Sequence, residues 1–131
     1  MNSRRHVVRG NITIESVLYF PVVLMIAMSG FHMAALIHAS HVGSVAASRG
    51  ASLVSRSMAS QGNAIWALDE VARVTREMGG TASRTPFISE SPSHFTVSVF
   101  LSSPQIVPFL PTSVRRTASS AKETFIEEQH R

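Results

Sequence analysis

From Ser16 to Ser48 the chain carries no formally charged residue, and Glu15 stands at the mouth of this run. At a 1.5 Å rise per residue, Ser16 to about Ala39 forms a helix long enough to cross the roughly 30 Å hydrocarbon core of a bilayer. Secretory signals have shorter apolar regions, usually about 7–15 residues, followed by a small-x-small cleavage site. Ala39-Ser40-His41 and Ala46-Ala47-Ser48 match such a site only weakly. The run therefore reads as a membrane helix, with a removed secretion signal as the lesser alternative. Pro21 lies early in it, where a missing N–H bends the first turns, a fault membrane helices tolerate. A chain that merely crosses a membrane has no use for a carboxylate at this place. Ionisable groups inside membrane segments cost about 2.5–3.5 kcal/mol at the helix centre and mark function by default.

The 131 residues carry a formal net charge of +4, and its location matters more than its size. Arg4, Arg5 and Arg9 precede the apolar run, so without residues 1–10 the chain is nearly neutral. The leader reads as a positive-inside signal that keeps the N-terminus cytoplasmic. A nucleic-acid partner is not expected, because Lys and Arg are not gathered along a foldable surface. The chain has no cysteine, which excludes disulfides, thiolate metal sites and Cys nucleophiles.

Gly10 lies five residues before Glu15, between the basic leader and the apolar run. This arrangement resembles a type IV pilin-like N-terminus. Arg9-Gly10-Asn-Ile-Thr-Ile-Glu15-Ser-Val-Leu-Tyr-Phe-Pro21 is similar, more narrowly, to the start of the TadE-like minor pseudopilins of tight-adherence (Tad/Flp) pilus systems. Ala46-Ala47-Ser48-Arg49-Gly50-Ala51 is similar to the stretch that ends the long helix in that family. Ser16 stands where that branch usually has an aromatic residue, and Ser48-Arg49 where an Arg-Glu pair is common. The resemblance implies that a prepilin peptidase cuts between Gly10 and Asn11. It also implies that Glu15 neutralises the new N-terminal amine of an adjacent subunit and so sets register during assembly. Gly suits the position before the cut because it leaves the backbone unobstructed. In the mature helix Glu15 would lie in the first turn, where the helix N-terminus favours its charge.

Beyond the apolar run no Pro intervenes before Ala51, so the helix is expected to continue past the membrane surface. Ala35, Ala39, Gly43, Ala47 and Ala51 recur every four residues, and such spacing lets helix backbones approach closely. They read either as a packing seam against another pilin or an assembly platform, or as an Ala- and Ser-rich stalk. A second helix is expected over 63–78, with Ile65, Leu68, Val71, Ala72, Thr75 and Met78 on its apolar face. Gly79-Gly80 reads as its C-cap, and Glu70–Arg73 and Arg73–Glu77 as exposed ion pairs. Trp66 reads as a packing or interface anchor. Phe95, Val97, Val99 and Leu101 alternate with Thr96, Ser98 and Phe100, the pattern of a strand with one buried face. Phe87-Ile88 suggests a shorter strand before it, and Pro108 and Pro111 an irregular loop after it. Residues 112–126 are compatible with a strand near 114–118 or with a helix starting at Ser119; the family resemblance favours the strand. Residues 127–131 read as a polar tail.

Enzyme chemistry finds little to build on. His38 and His41 share a helix face and His32 lies further back, but no carboxylate accompanies them in a metal-binding frame. Asp69 is the only Asp, and there is neither a Gly-x-Ser-x-Gly frame nor a Gly-rich phosphate loop. No cofactor, metal or catalytic residue is expected.

The expected architecture is α+β, in three parts. Residues 1–10 form a leader that is cut off, 11–58 a transmembrane helix and its extension, and 59–131 a small extracytoplasmic domain with a second helix and a short antiparallel sheet. The expected function is that of a minor pilin-like, TadE-like subunit serving biogenesis of a tight-adherence pilus or a related secretion apparatus. Its partners would be the bacterial inner membrane, the prepilin peptidase, other pilins or pseudopilins and the assembly platform. The N-terminus would be cytoplasmic and the domain periplasmic. An unprocessed single-pass scaffold of an envelope complex is the competing expectation. Glu15→Leu separates the two: a scaffold accepts it, whereas a pilin-like subunit loses assembly while staying in the membrane.

Overall fold

The computed structural model describes residues 8–56 and 63–122. Helix α1 spans Val8–Arg56 and helix α2 spans Asn63–Glu77. Strands β1 (Thr81–Glu90), β2 (His94–Ser102) and β3 (Ser113–Ala121) follow and form an antiparallel meander in the order β1-β2-β3. Both helices cover one face of the sheet: α1 packs on β2 and β3, and α2 packs on β1 and on α1. The architecture is α+β in two layers, and α1 runs through Pro21 without interruption.

The core is made where the second half of α1 meets the sheet. Ala39, Val42, Ala46, Ala47 and Ala51 of α1 pack with Val71 and Val74 of α2 and with Val97, Val99 and Leu101 of β2. Val54, Ala67 and Phe95 form a smaller cluster at the far end. The alternation read from β2 holds, with Phe95, Val97, Val99 and Leu101 all buried. Small residues on α1 set the spacing of the layers. A Cβ at Gly43 would stand 2.9 Å from Leu101 Cδ1, and one at Gly50 would stand 2.5 Å from Val71 Cγ2. Arg116 on β3 crosses over Gly43 and donates from Nε to Ser40 Oγ at 2.9 Å, tying β3 to the helix.

Helix α2 ends as its sequence suggests. Gly79 has φ 73°, its N–H donates to Arg76 O, and the Gly80 N–H donates to Thr75 O. These are the two bonds of a Schellman cap. Both ion pairs form, with Arg73 bridging Glu70 and Glu77. Hydrogen bonding to Arg73 holds the Glu70 carboxyl below the usual carboxylate range. A depressed carboxylate stabilises the fold above its unfolded pKa and loses that contribution as acid protonates it. At this exposed site the effect is small and is screened by salt.

Three expectations are corrected. On the expected face of α2, Val71 and Thr75 are buried and Leu68, Ala72 and Met78 half-buried, but Ile65 is 76% exposed, and Ala67 and Val74 join the buried set. Ala67 is small enough to sit against Val54, so the close contact with α1 selects that face. Strand β1 starts directly after Gly80, well before Phe87, and absorbs Pro86 through register shifts between Ala82 and Phe87. The strand expected near 114–118 forms as β3 but runs on through Ser119–Ala121, which pair with Thr96, Phe95 and His94, so the alternative helix from Ser119 does not form. Residues 123–131, with the expected polar tail, lie outside the described residues.

Gly50→Ala should lower stability by about 1–3 kcal/mol, because the overpacked Val71 outweighs the gain in helix propensity. Gly30→Ala, with nothing within 4 Å of the new Cβ, should be neutral or stabilising. Urea titration of the full chain in detergent micelles, followed by circular dichroism, checks both.

Candidate functional site

The residues singled out near the N-terminus all lie on α1. Gly10 and Asn11 are within the helix, which already includes Val8 and Arg9. Glu15 is exposed, and the first turn of α1 contains no acidic residue. As the chain stands, Glu15 lies about two turns in, beyond the reach of the helix-terminal field. The expected first-turn position requires the cut after Gly10. From Glu15 to Phe31 every residue except half-buried Ser29 is exposed, and the surface is apolar all round. Helix α1 is long and apolar enough to cross a membrane, with a mean hydropathy of 2.0 over its best window.

The small-residue stripe has a different neighbour from the one expected. Ala39, Gly43, Ala47 and Ala51 are buried and Ala35 is half-buried. What covers them is this chain's own sheet and α2. The spacing does mark a seam of close approach, but the approaching backbone is internal. Of the residues expected to mediate contacts between subunits, Trp66 remains outward-facing, 57% exposed.

A second feature joins the two halves of the molecule. The loop between β2 and β3 runs back along α1 toward its N-terminus. Its base is closed by the Ser103 N–H donating to Thr112 O at 2.6 Å. His32, fully buried, contacts Pro111 O through Nε2 at 3.1 Å. A carbonyl only accepts, so Nε2 carries the proton in this bond. Beyond that bond, Ile106, Val107, Pro108 and Phe109 line an apolar cleft of about 370 Å³ with Leu24, Met25, Met28 and Ser29 of α1. Phe109 at the tip is 99% exposed and has φ 75°. Left-handed backbone is a genuine outlier for a bulky residue and costs of order 1–3 kcal/mol. Among the described residues, His32 Nδ1 and Ser103 Oγ are the buried side-chain polar atoms without a hydrogen-bond partner, both at the root of this loop.

His38 and His41 are exposed, and no group of three or more potential metal ligands occurs among the described residues. No protein-family model, curated protein or solved structure matches this chain.

The His32–loop junction is what sequence reasoning missed. Its signal was present: 104–111 reads Pro-Gln-Ile-Val-Pro-Phe-Leu-Pro, an uncharged apolar loop where loops are ordinarily polar. That His32 meets its root is a contact across 79 positions, which no local pattern encodes.

His32→Ala should cost about 1–3 kcal/mol, since it strips the Pro111 carbonyl of its donor in a buried setting. The urea midpoint of the full chain in micelles reads this. His38→Ala, at an exposed site on the same helix, should leave the midpoint unchanged.

Proposed function

We propose that this chain is a minor pilin-like membrane subunit, TadE-like in type, that serves assembly of a tight-adherence pilus or a related secretion apparatus. The observation that carries the reading is the Gly10–Glu15–apolar-run constellation lying on one unbroken helix. That helix has a small α+β domain packed on its far half and is exposed over most of Glu15 to Phe31. In this reading the apolar near half sits in the inner membrane and the domain lies beyond it. Arg4, Arg5 and Arg9 hold the N-terminus in the cytoplasm. The prepilin peptidase removes residues 1–10, which brings Glu15 into the first turn of the new helix. There it pairs with the amine of a neighbouring subunit and sets axial register. The exposed near half of α1 packs against other pilins or the assembly platform, while the far half is already occupied by its own domain.

One observation favours the second reading, an unprocessed membrane-anchored scaffold. Helix α1 passes through Gly10 and Asn11 without a break, so a peptidase must unwind its start before it can cut there.

The N-terminal peptide of the protein purified from the membranes of its native host decides between them by mass spectrometry. A start at Asn11 is expected; a start at Met1 favours the scaffold. In the same host, Gly10→Ala and Glu15→Leu should each abolish assembly while the protein remains in the membrane. Normal assembly by either variant would remove the mechanism.

A further inference from the structure

We propose that the β2–β3 loop, residues 104–111, is a second membrane-inserted element, which seats the domain directly on the bilayer surface. The inference rests on the reading of α1 as a membrane-spanning helix.

The geometry is direct. The tip of the loop lies against Leu24, Met25, Met28 and Ser29. These residues are inside the apolar segment, about 5–12 Å along the helix axis from His32 toward the N-terminus. Whatever surrounds α1 at that level also surrounds the loop. The chemistry of the loop agrees with a lipid setting. Gln105 is its one polar side chain, and Phe109 and Leu110 face outward at the tip. In water an aromatic side chain that is 99% exposed, held out on strained backbone, has no physical return. Against acyl chains its apolar surface is taken out of water.

Irregular backbone in a bilayer is limited by its unpaired N–H groups. Pro104, Pro108 and Pro111 have none. The Pro111 carbonyl is satisfied by His32, and the root of the loop is closed by the Ser103–Thr112 bond. The N–H groups that remain need water or headgroup oxygens, which sets the tip at the boundary between headgroups and acyl chains.

The test uses three full-length chains, each with a single tryptophan, in vesicles of phosphatidylcholine and phosphatidylglycerol brominated in the acyl chains. The first retains Trp66 on α2, beside Ala67, which packs on Val54, a level about 40 Å along α1 from the loop tip. The second is Trp66→Phe with Phe109→Trp, and the third Trp66→Phe with Phe20→Trp on the bare helix. Both replacements swap one exposed aromatic for another, so folding is not at stake. Expected is a loss of most emission at positions 109 and 20, with Trp66 unquenched by bromolipid and open to iodide. If position 20 is quenched and position 109 responds only to iodide, the insertion is wrong while the spanning helix stands. If position 109 is shielded from both quenchers, a second copy covers the tip and the inference is overturned. If position 20 escapes bromolipid, the membrane reading of α1 falls and the insertion with it.

Discussion

Close approach between the far half of α1 and the three-stranded sheet is the constraint on which the rest of the molecule depends. Gly43 and Gly50 let Leu101 and Val71 come nearer than any Cβ would allow. Ala39, Ala46, Ala47 and Ala51 fill the rest of that face with single methyl groups. A small domain cannot bury much surface by itself. This one solves the problem by using a length of its own long helix as half of its core. The helix is then rigidly part of the domain at one end and bare at the other.

That division organises the chemistry. From Ser16 to Phe31 α1 is, half-buried Ser29 apart, exposed and largely apolar on every side, and among the described residues the β2–β3 loop is what lies against it. The far half commits one face to its own sheet and α2. In the proposed reading, contacts with the membrane or with other helices fall on the near half, the loop and the outward end of α2 around Ile65 and Trp66. His32 stands at the frontier. It is a polar side chain in an apolar helix, buried because the loop folds back onto it and supplies the Pro111 carbonyl. Burying a polar ring costs free energy for each polar atom left without a partner; the Nε2 bond offsets part of that cost, and Nδ1 has no partner.

Several parts of this arrangement were legible in the residues alone. The apolar run, the Gly79-Gly80 cap, the alternation of β2 and the Arg73 ion pairs follow from patterns a few residues long, because their causes are equally local. Periodicity placed α2 and most of its buried face, but took in exposed Ile65 and left out Ala67 and Val74. Apolar residues at three- and four-residue spacing fit more than one stripe, and the small side chain of Ala67 selected the one that lets α2 approach Val54. The length of β1 escaped because its composition, with Pro86 inside, is poor for a strand. Pairing with β2 through shifted register carries it.

By itself the sequence determined the α+β class, the long apolar helix and the position of Glu15 at its mouth, since length, charge and hydropathy act along the chain. Tertiary structure decided what the small-residue stripe touches. The spacing of Ala35, Ala39, Gly43, Ala47 and Ala51 specifies that something packs closely, and only the fold shows that it is the chain's own sheet. Tertiary structure likewise decided that an apolar loop between two strands returns to Leu24–Ser29 and that His32 is sealed beneath its root. Spacing encodes the shape of a surface; the identity of what lies against it is set by contacts between residues far apart in the chain, which no local pattern carries.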